Sequence, residues 1–371
     1  MKKILSVLVL IAIVFSLTSC DISFITQFFE QGENSGTITP GPSEGDEETE
    51  TPDDSQDTEE PAAPACDHDY VEIGRTEAKP LADGVIISEC SKCKEKKNDV
   101  HTPMTRKLKL LAIGNSFSND ALGYLWDICN AAGVEDLIIG HAYIGGCSLD
   151  MHGTHMLYGN PAYEYHKYEG SSNYTKKEGV KIDYILEDEE WDCISLQQLS
   201  ELTGASYFSL LDQIVKKLNK KCPGAELYWH FTWSFSWNCT GYKPFETLHD
   251  RDQMKLYNAL VGVVNDIILP RGDFKGIIPA GTAMQNLRTS YIGDNVTRDD
   301  GYHADLGIGR YTIGLTWYAT FTGGSLDLVD WVPGNSYRTS IINSLDAIHE
   351  SVQNALANPY EITQSKLTVA P

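Results

Sequence analysis

The chain reads as an α/β protein in which a mostly parallel sheet is covered by helices on both faces. Two observations predict this. From about Thr105 onward, short apolar runs alternate with amphipathic segments, and turn signals such as Pro223-Gly224 separate a helical stretch from the run that follows it. Strands that alternate with helices require crossover connections, and crossovers make neighbouring strands parallel. In order, residues 108–113 read as a first strand and 121–132 as the helix after it. Residues 137–142 form a second strand and 191–196 a third, followed by a helical stretch over 207–221. A fourth strand covers 226–231, a helix 253–268, a fifth short strand 276–279, and a last helix 306–320. The stretch from Asp150 to Asp183 is rich in His, Tyr, Gly and Asn and shows no clear period, so it is expected as a long loop walling a site.

The ends of the chain follow different rules. Lys2 and Lys3 precede an apolar run over 4–15, and Leu17-Thr18-Ser19-Cys20 follows. A charged start and a short apolar stretch read as a secretory signal rather than a membrane span. The cysteine after small residues marks residues 1–20 as a lipoprotein signal, with the lipid on Cys20. Residues 21–65 form an acidic linker. From about Gln31 to Ala65 it contains no Lys or Arg and little to bury, which describes a solvated, self-repelling stalk. The expected location is therefore the cell surface, outside the cytoplasm, with membrane contact through the lipid alone. A formal net charge of −23 over 371 residues argues against nucleic acid or an anionic membrane surface as partner.

Nine cysteines fall into three groups. Cys20 takes the lipid. Cys66-Asp67-His68 and Cys90-Ser91-Lys92-Cys93 bracket a short alternating segment of hairpin type, so Cys66, His68, Cys90 and Cys93 can meet on one tetrahedral ion. Residues 66–100 are read as a small zinc-ribbon-like β module, with structural zinc as its staple because its apolar content is low. The competing possibility is one disulfide with a solvent-facing His68. The remaining five cysteines are expected mostly as buried thiols, with at most one or two bridges.

The chemistry-bearing residues lie in the part from 105 to 357. Ser116 stands in Gly114-Asn115-Ser116-Phe117-Ser118, just past the first strand, where ligands gather in parallel sheets. Asp300-Gly301-Tyr302-His303 comes late in the chain. A serine hydroxyl is a poor nucleophile without a base, and the base needs a third group to orient it. A carboxylate and an imidazole three residues apart can be delivered together by one turn. Ser116, His303 and Asp300 are thus the candidate nucleophile, base and orienting carboxylate, with Asp299 as the lesser carboxylate. Taken alone, Ser116 could equally be a helix cap.

These blocks resemble those of the SGNH (GDSL-type) hydrolases, in an atypical Gly-Asn-Ser-Phe-Ser branch. Asn115 stands where that family usually has Asp. The resemblance implies a three-layer α/β/α, flavodoxin-like domain over 105–357 and a serine esterase that needs no cofactor for catalysis. It also implies an oxyanion hole. In Ile144-Gly145-Gly146-Cys147-Ser148 the matching backbone donor is Gly146, with Gly145 as the alternative. Where the family usually has Gly-x-Asn-Asp, this chain has Ser195-Leu196-Gln197-Gln198, so Gln197, or else Gln198, would supply the side-chain donor.

His141, His152, His155, His166, His230 and His249 have no such partner spacing and are read as packing or loop residues. Trp229, Phe231, Trp233, Phe235 and Trp237 place an aromatic at every second position, which suits either a strand core or the wall of a sugar site. The expected substrate is a carbohydrate ester, with removal of acetyl or another acyl group. The alternative is a non-catalytic glycan-binding lipoprotein that keeps the hydrolase fold.

Overall fold

A computed structural model describes residues 66–370. The signal with Cys20 and the acidic linker to residue 65 lie outside the described residues.

The first element is a three-stranded antiparallel sheet in the order β1-β2-β3, formed by β1 (Tyr70–Thr76), β2 (Gly84–Cys90) and β3 (Lys96–Thr102). The sequence suggested a hairpin here. The third strand, Lys-Lys-Asn-Asp-Val-His-Thr, is exposed along its whole length and carries no apolar signal; its backbone pairing to β2 holds it. The module is joined to the rest by backbone bonds from Leu81 N–H to Thr322 O (2.9 Å) and from Arg106 N–H to Pro80 O (2.9 Å).

The main sheet has seven strands: β4 (Lys107–Gly114), β5 (Asp136–Tyr143), β6 (Tyr163–Glu169), β7 (Thr175–Val180), β8 (Cys193–Leu196), β9 (Glu226–His230) and β10 (Phe274–Ile278). Their spatial order is β10-β9-β8-β4-β5-β6-β7. β4, β5, β8, β9 and β10 pair in parallel, while β6 and β7 add an antiparallel edge. The five parallel strands, counted along the chain, lie in the order two, one, three, four, five, which is the flavodoxin-like arrangement. β4 sits between β5 and β8, and Leu110, Leu111, Ala112 and Ile113 are buried accordingly. Each such Leu or Ile contributes about 1.5–3 kcal/mol by leaving water.

The helices are α1 (Ser116–Leu122), α2 (Leu125–Ala131), α3 (Leu149–Tyr158), α4 (Ile182–Leu186), α5 (Leu211–Lys221), α6 (Lys243–His249), α7 (Gln253–Val263), α8 (Ala280–Arg288), α9 (Ile308–Thr322), α10 (Arg338–Ile342) and α11 (Leu345–Ala357). They flank the sheet in two packed groups. One gathers α1, α2, α8 and α11 around α9, and the other joins α3, α4 and α5. α9 buries Tyr311, Ile313, Leu315, Trp317 and Tyr318 on nearly every side, as befits a helix enclosed by others.

Two expectations need correction. Residues 150–183 are not a long loop: they form α3, the hairpin β6–β7 and α4. β7, Thr-Lys-Lys-Glu-Gly-Val, is an exposed edge strand with almost no apolar residue, so periodicity has nothing to report. The helix expected over 121–132 is two short helices that begin earlier, at Ser116. All the described cysteines are free thiols.

Candidate active site

β4 delivers the serine. The strand ends at Gly114, Asn115 is the extended N-cap residue, and Ser116 opens α1 half-buried. This is the point where the parallel order reverses, between β4 and β8, and such a reversal leaves a crevice at the carboxyl ends of the strands. Ser116 and Gln197 occupy its two lips, one past β4 and the other past β8.

Asn115 is fully buried and binds three ways. Its Oδ1 accepts from Phe117 N–H (3.0 Å), which caps α1, and from Gln197 Nε2 (2.7 Å). Its Nδ2 donates to Cys147 O (2.9 Å), in the turn after β5. One side chain thus knots together the three segments that the sequence placed around the serine. An aspartate could not make the third bond, because a carboxylate only accepts. Sequence reading treated Asn115 as a departure from a pattern; the donor requirement became visible only with Cys147 O beside it.

Gln197 is buried, and its Oε1 accepts from Ser118 Oγ while one N–H goes to Asn115. Gly114 makes room for this arrangement. A Cβ there would lie 2.4 Å from Ser118 Oγ and 2.8 Å from Gln197 Oε1. Gln198 turns elsewhere: its Oε1 accepts from Leu149 N–H (3.0 Å) and its Nε2 donates to Tyr207 O (2.9 Å). Beyond β5, Ile144 N–H donates to Gly114 O (3.2 Å) and Cys147 N–H to Ile144 O (3.3 Å), which closes a turn beside Asn115. Gly145 and Gly146 are exposed at its tip.

The imidazole and carboxylate arrive on a loop closed by a bridge between Thr297 and Ala304. His303 Nδ1 pairs with Asp300 Oδ2 at 2.8 Å, and Asp300 Oδ1 accepts from the N–H groups of Tyr302 (3.0 Å) and His303 (2.9 Å). Burial pushes the Asp300 carboxyl up, but the hydrogen bonds from His303 and from the two backbone N–H groups outweigh it and hold the group below its ordinary value. Asp299 is exposed and has no bond to His303. Gly301 sits at φ +79°, with Cys239 where a Cβ would go, 2.7 Å away, so the turn accepts only glycine.

A second set of residues, which the sequence reading missed, ties this loop to α1. Asp120 Oδ1 pairs with Arg298 Nη2 and with Arg310 Nη2 (2.6 Å), and its Oδ2 accepts from Ala304 N–H (3.1 Å). Arg298 Nε in turn donates to Ala304 O (2.9 Å). Asp120 lies one helical turn after Ser116, and α1 therefore carries both the serine and the anchor of the Asp300–His303 loop. An Asp four residues beyond the serine was readable, but its distant arginines gave no local signal.

The His303 ring lies edge-on to Phe117, the neighbour of Ser116, at 6.1 Å between centroids, and 4.4 Å from the ring of Tyr302. Ser116 Oγ makes no hydrogen bond to His303 among the described residues. His230 and His152 are buried and desolvated, with pKa values lowered to about 3. Of the alternating aromatics, Trp229, Phe231, Trp233 and Phe235 are core, whereas Trp237 is 70% exposed.

In the small module, the ligand atoms of Cys66, His68, Cys90 and Cys93 all lie within 4.8 Å of one another. Cys66 Sγ is 3.9 Å from Cys90 Sγ, and Cys93 Sγ is 3.3 Å from His68 Nδ1. Bonds of about 2.3 Å to sulfur and 2.0 Å to nitrogen give tetrahedron edges close to these separations. His68 Nε2 meets Glu95 Oε2 at 3.2 Å, the outer carboxylate that a metal-binding histidine commonly keeps. These four residues could hold a metal ion such as zinc. A cavity of about 420 Å³, lined by Lys79, Asp192, Cys193, Glu226 and Tyr228 among others, lies at the amino ends of the strands, away from Ser116.

Comparison with known proteins gives a family. Residues 109–354 match the profile described as "Domain of unknown function (DUF4886)". A crystal structure of a DUF4886 family protein from Bacteroides uniformis is 36% identical, with a TM-score of 0.64, over 70% of this chain and 98% of that one. A protein from Slackia heliotrinireducens, provisionally assigned as an SGNH hydrolase, is 16% identical with a TM-score of 0.38, over 59% of this chain and 100% of that one. A provisionally assigned GDSL-like lipase from Parabacteroides merdae is 12% identical with a TM-score of 0.36, over 58% and 97%. No curated protein matches.

Proposed function

Since the chain belongs to the DUF4886 family, whose description assigns no activity, we propose from its own residues that it is a serine esterase acting on carbohydrate esters. The observation that carries this reading is the Asp300–His303 pair, on a loop anchored through Asp120 to the helix that Ser116 opens. In this reading Ser116 Oγ attacks the ester carbonyl while its proton passes to His303 Nε2. Asp300 holds the imidazole by Nδ1–H and stabilises the imidazolium. The N–H groups of Ser116 and Gly146 and the second amide N–H of Gln197 receive the oxyanion. His303 returns the proton to the departing sugar oxygen, and water then releases the acyl group by the same steps in reverse.

Zinc in the module would be structural: with all four positions taken by protein ligands, no site is left for substrate. The leader supports a lipid on Cys20 and a location outside the cytoplasm, where glycans are available. No described helix is long and apolar enough to cross a membrane.

The test is hydrolysis of 4-nitrophenyl acetate and of acetylated oligosaccharides by the purified chain and its Ser116→Ala variant. Turnover abolished in the variant is expected. Turnover that persists in Ser116→Ala rejects the triad, and a parent chain that binds glycan without any turnover leaves the non-catalytic binding reading.

A further inference from the structure

Trp237 is the one exposed tryptophan of the seven in the chain, all of which are described. Among the described residues its indole meets no other aromatic ring, although the four aromatics before it in the alternating series are packed in the core. Exposure of a single large apolar side chain needs no explanation in itself. What distinguishes Trp237 is how its backbone is held and where.

The turn that carries it rests on the base loop. Ser236 N–H donates to Gly301 O (2.7 Å), within the Asp300–His303 segment, and Cys239 packs against Gly301 at the place a side chain would take. Trp233, two residues before Phe235 and four before Trp237, donates Nε1–H to Tyr302 O (2.8 Å). The turn is also fixed from below. Asp294 Oδ2 accepts from both Ser236 Oγ and Trp237 N–H (3.0 Å). Asp294 Oδ1 is held by Arg288 Nε (2.6 Å) and Gln253 Nε2 (3.1 Å), and the Arg288 side chain is only 4% exposed. Arg288 is engaged on its other nitrogens too, donating to Gln285 Oε1 (2.9 Å), Ser234 Oγ (3.2 Å) and Ser234 O (3.0 Å), so one buried network holds the segment that leads to Trp237. The Asp294 oxygen that accepts from Trp237 N–H thus fixes the backbone of an exposed tryptophan next to Ser236, the residue that bonds the Asp300–His303 segment.

We infer that Trp237 is a sugar platform: its ring face carries the pyranose ring of an acylated glycan while the ester lies over Ser116. This deepens the esterase reading and rests on it. A flat aromatic face on a fixed backbone can cover the apolar face of a pyranose, and an indole has only two side-chain torsions to order on binding. Covering about 60 Å² of ring face corresponds to roughly a tenfold gain in affinity.

The experiment compares the parent chain with Trp237→Ala and Trp237→Phe, on acetylated xylo-oligosaccharides and on 4-nitrophenyl acetate. In Trp237→Ala the ratio of oligosaccharide to aryl-ester kcat/KM should fall roughly tenfold, through KM, with partial rescue by Trp237→Phe. In a second arm, deacetylated xylo-oligosaccharide is titrated into the Ser116→Ala protein. Tryptophan emission should change on binding, and the change should vanish when Trp237 is also replaced. Equal losses on both substrates, or no change in the ratio, overturn the platform. So does a parent chain that hydrolyses the aryl ester but neither hydrolyses nor binds the oligosaccharides. If the emission change appears while neither ester is hydrolysed, the platform stands and the esterase reading fails.

Discussion

Replacing Asn115 with Asp changes one atom and tests the knot beneath the serine. The native Nδ2 donates to Cys147 O at 2.9 Å, and the Oδ1 accepts from Phe117 and Gln197. The variant loses a hydrogen bond of about 1 kcal/mol and sets a carboxylate oxygen against a carbonyl oxygen in a site with no solvent exposure. A buried charge without a counter-ion costs several kcal/mol, and the two remaining N–H donors return part of it because bonds to a charged acceptor are stronger. The net expectation is a loss of about 2–4 kcal/mol at neutral pH. Movement of Ser116 by even 1 Å would remove about 10²-fold in turnover.

The sign with pH follows from burial, which raises the pKa of the new carboxyl above its unfolded value of about 3.9. The penalty is then full above the raised value, shrinks as pH falls through it, and disappears below about 3.9. Once protonated, the acid can donate to Cys147 O again. Urea unfolding of parent and variant at pH 8, 6 and 5, alongside 4-nitrophenyl acetate hydrolysis, measures both effects. A variant that unfolds with the parent at pH 8 and keeps its turnover would show that the donor to Cys147 O does not matter.

Three further outcomes are expected. Asp120→Ala should cost about 2–3 kcal/mol, discounted because Arg298 is partly exposed, and should lower turnover beyond what stability explains. Melting curves with kinetics well below the midpoint separate the two, and unchanged kinetics would end its role as anchor. The purified chain should carry zinc measurable by elemental analysis, and Cys93→Ser should lose it; equal metal content in both would reject the four-residue site. His230, fully buried with its pKa lowered to about 3, binds protons more readily unfolded than folded. Stability should therefore decline as pH falls below about 6.5, by up to about 1.4 kcal/mol per unit for this one group, until the folded value near 3 is reached. His230→Phe should flatten that decline in urea unfolding at pH 7 and pH 5, and an unaltered slope would exclude the residue as its source.

The parallel strands were legible because burial on both faces makes them continuous apolar runs, as in Leu110–Ile113. The edge was not. β3 and β7 are almost wholly polar, and backbone pairing with a few polar side-chain contacts holds them, so a reading built on hydrophobic period passes over both. At the candidate site, Ser116, Asp300 and His303 could be named because their residue types and order suit a nucleophile, an orienting carboxylate and a base. The structure pairs Asp300 with His303 and sets Ser116 at the reversal of strand order. Asp120, Arg298 and Arg310 went unnoticed, since an ion pair spanning 178 residues leaves no mark at either end. Residue types alone favoured Gln197 only slightly over its neighbour Gln198. Their partners differ because successive residues leaving a strand point to opposite sides.

The amides at 115 and 197 amount to a lock and its matching key. An acid at 115 would still accept from Gln197 and would lose only its donor to Cys147 O, whereas a shorter amide at 197 would draw back from both Asn115 Oδ1 and Ser118 Oγ. Because the two side chains touch, the effects of changing them will not simply add, and engineering here should measure the pair as well as each position alone.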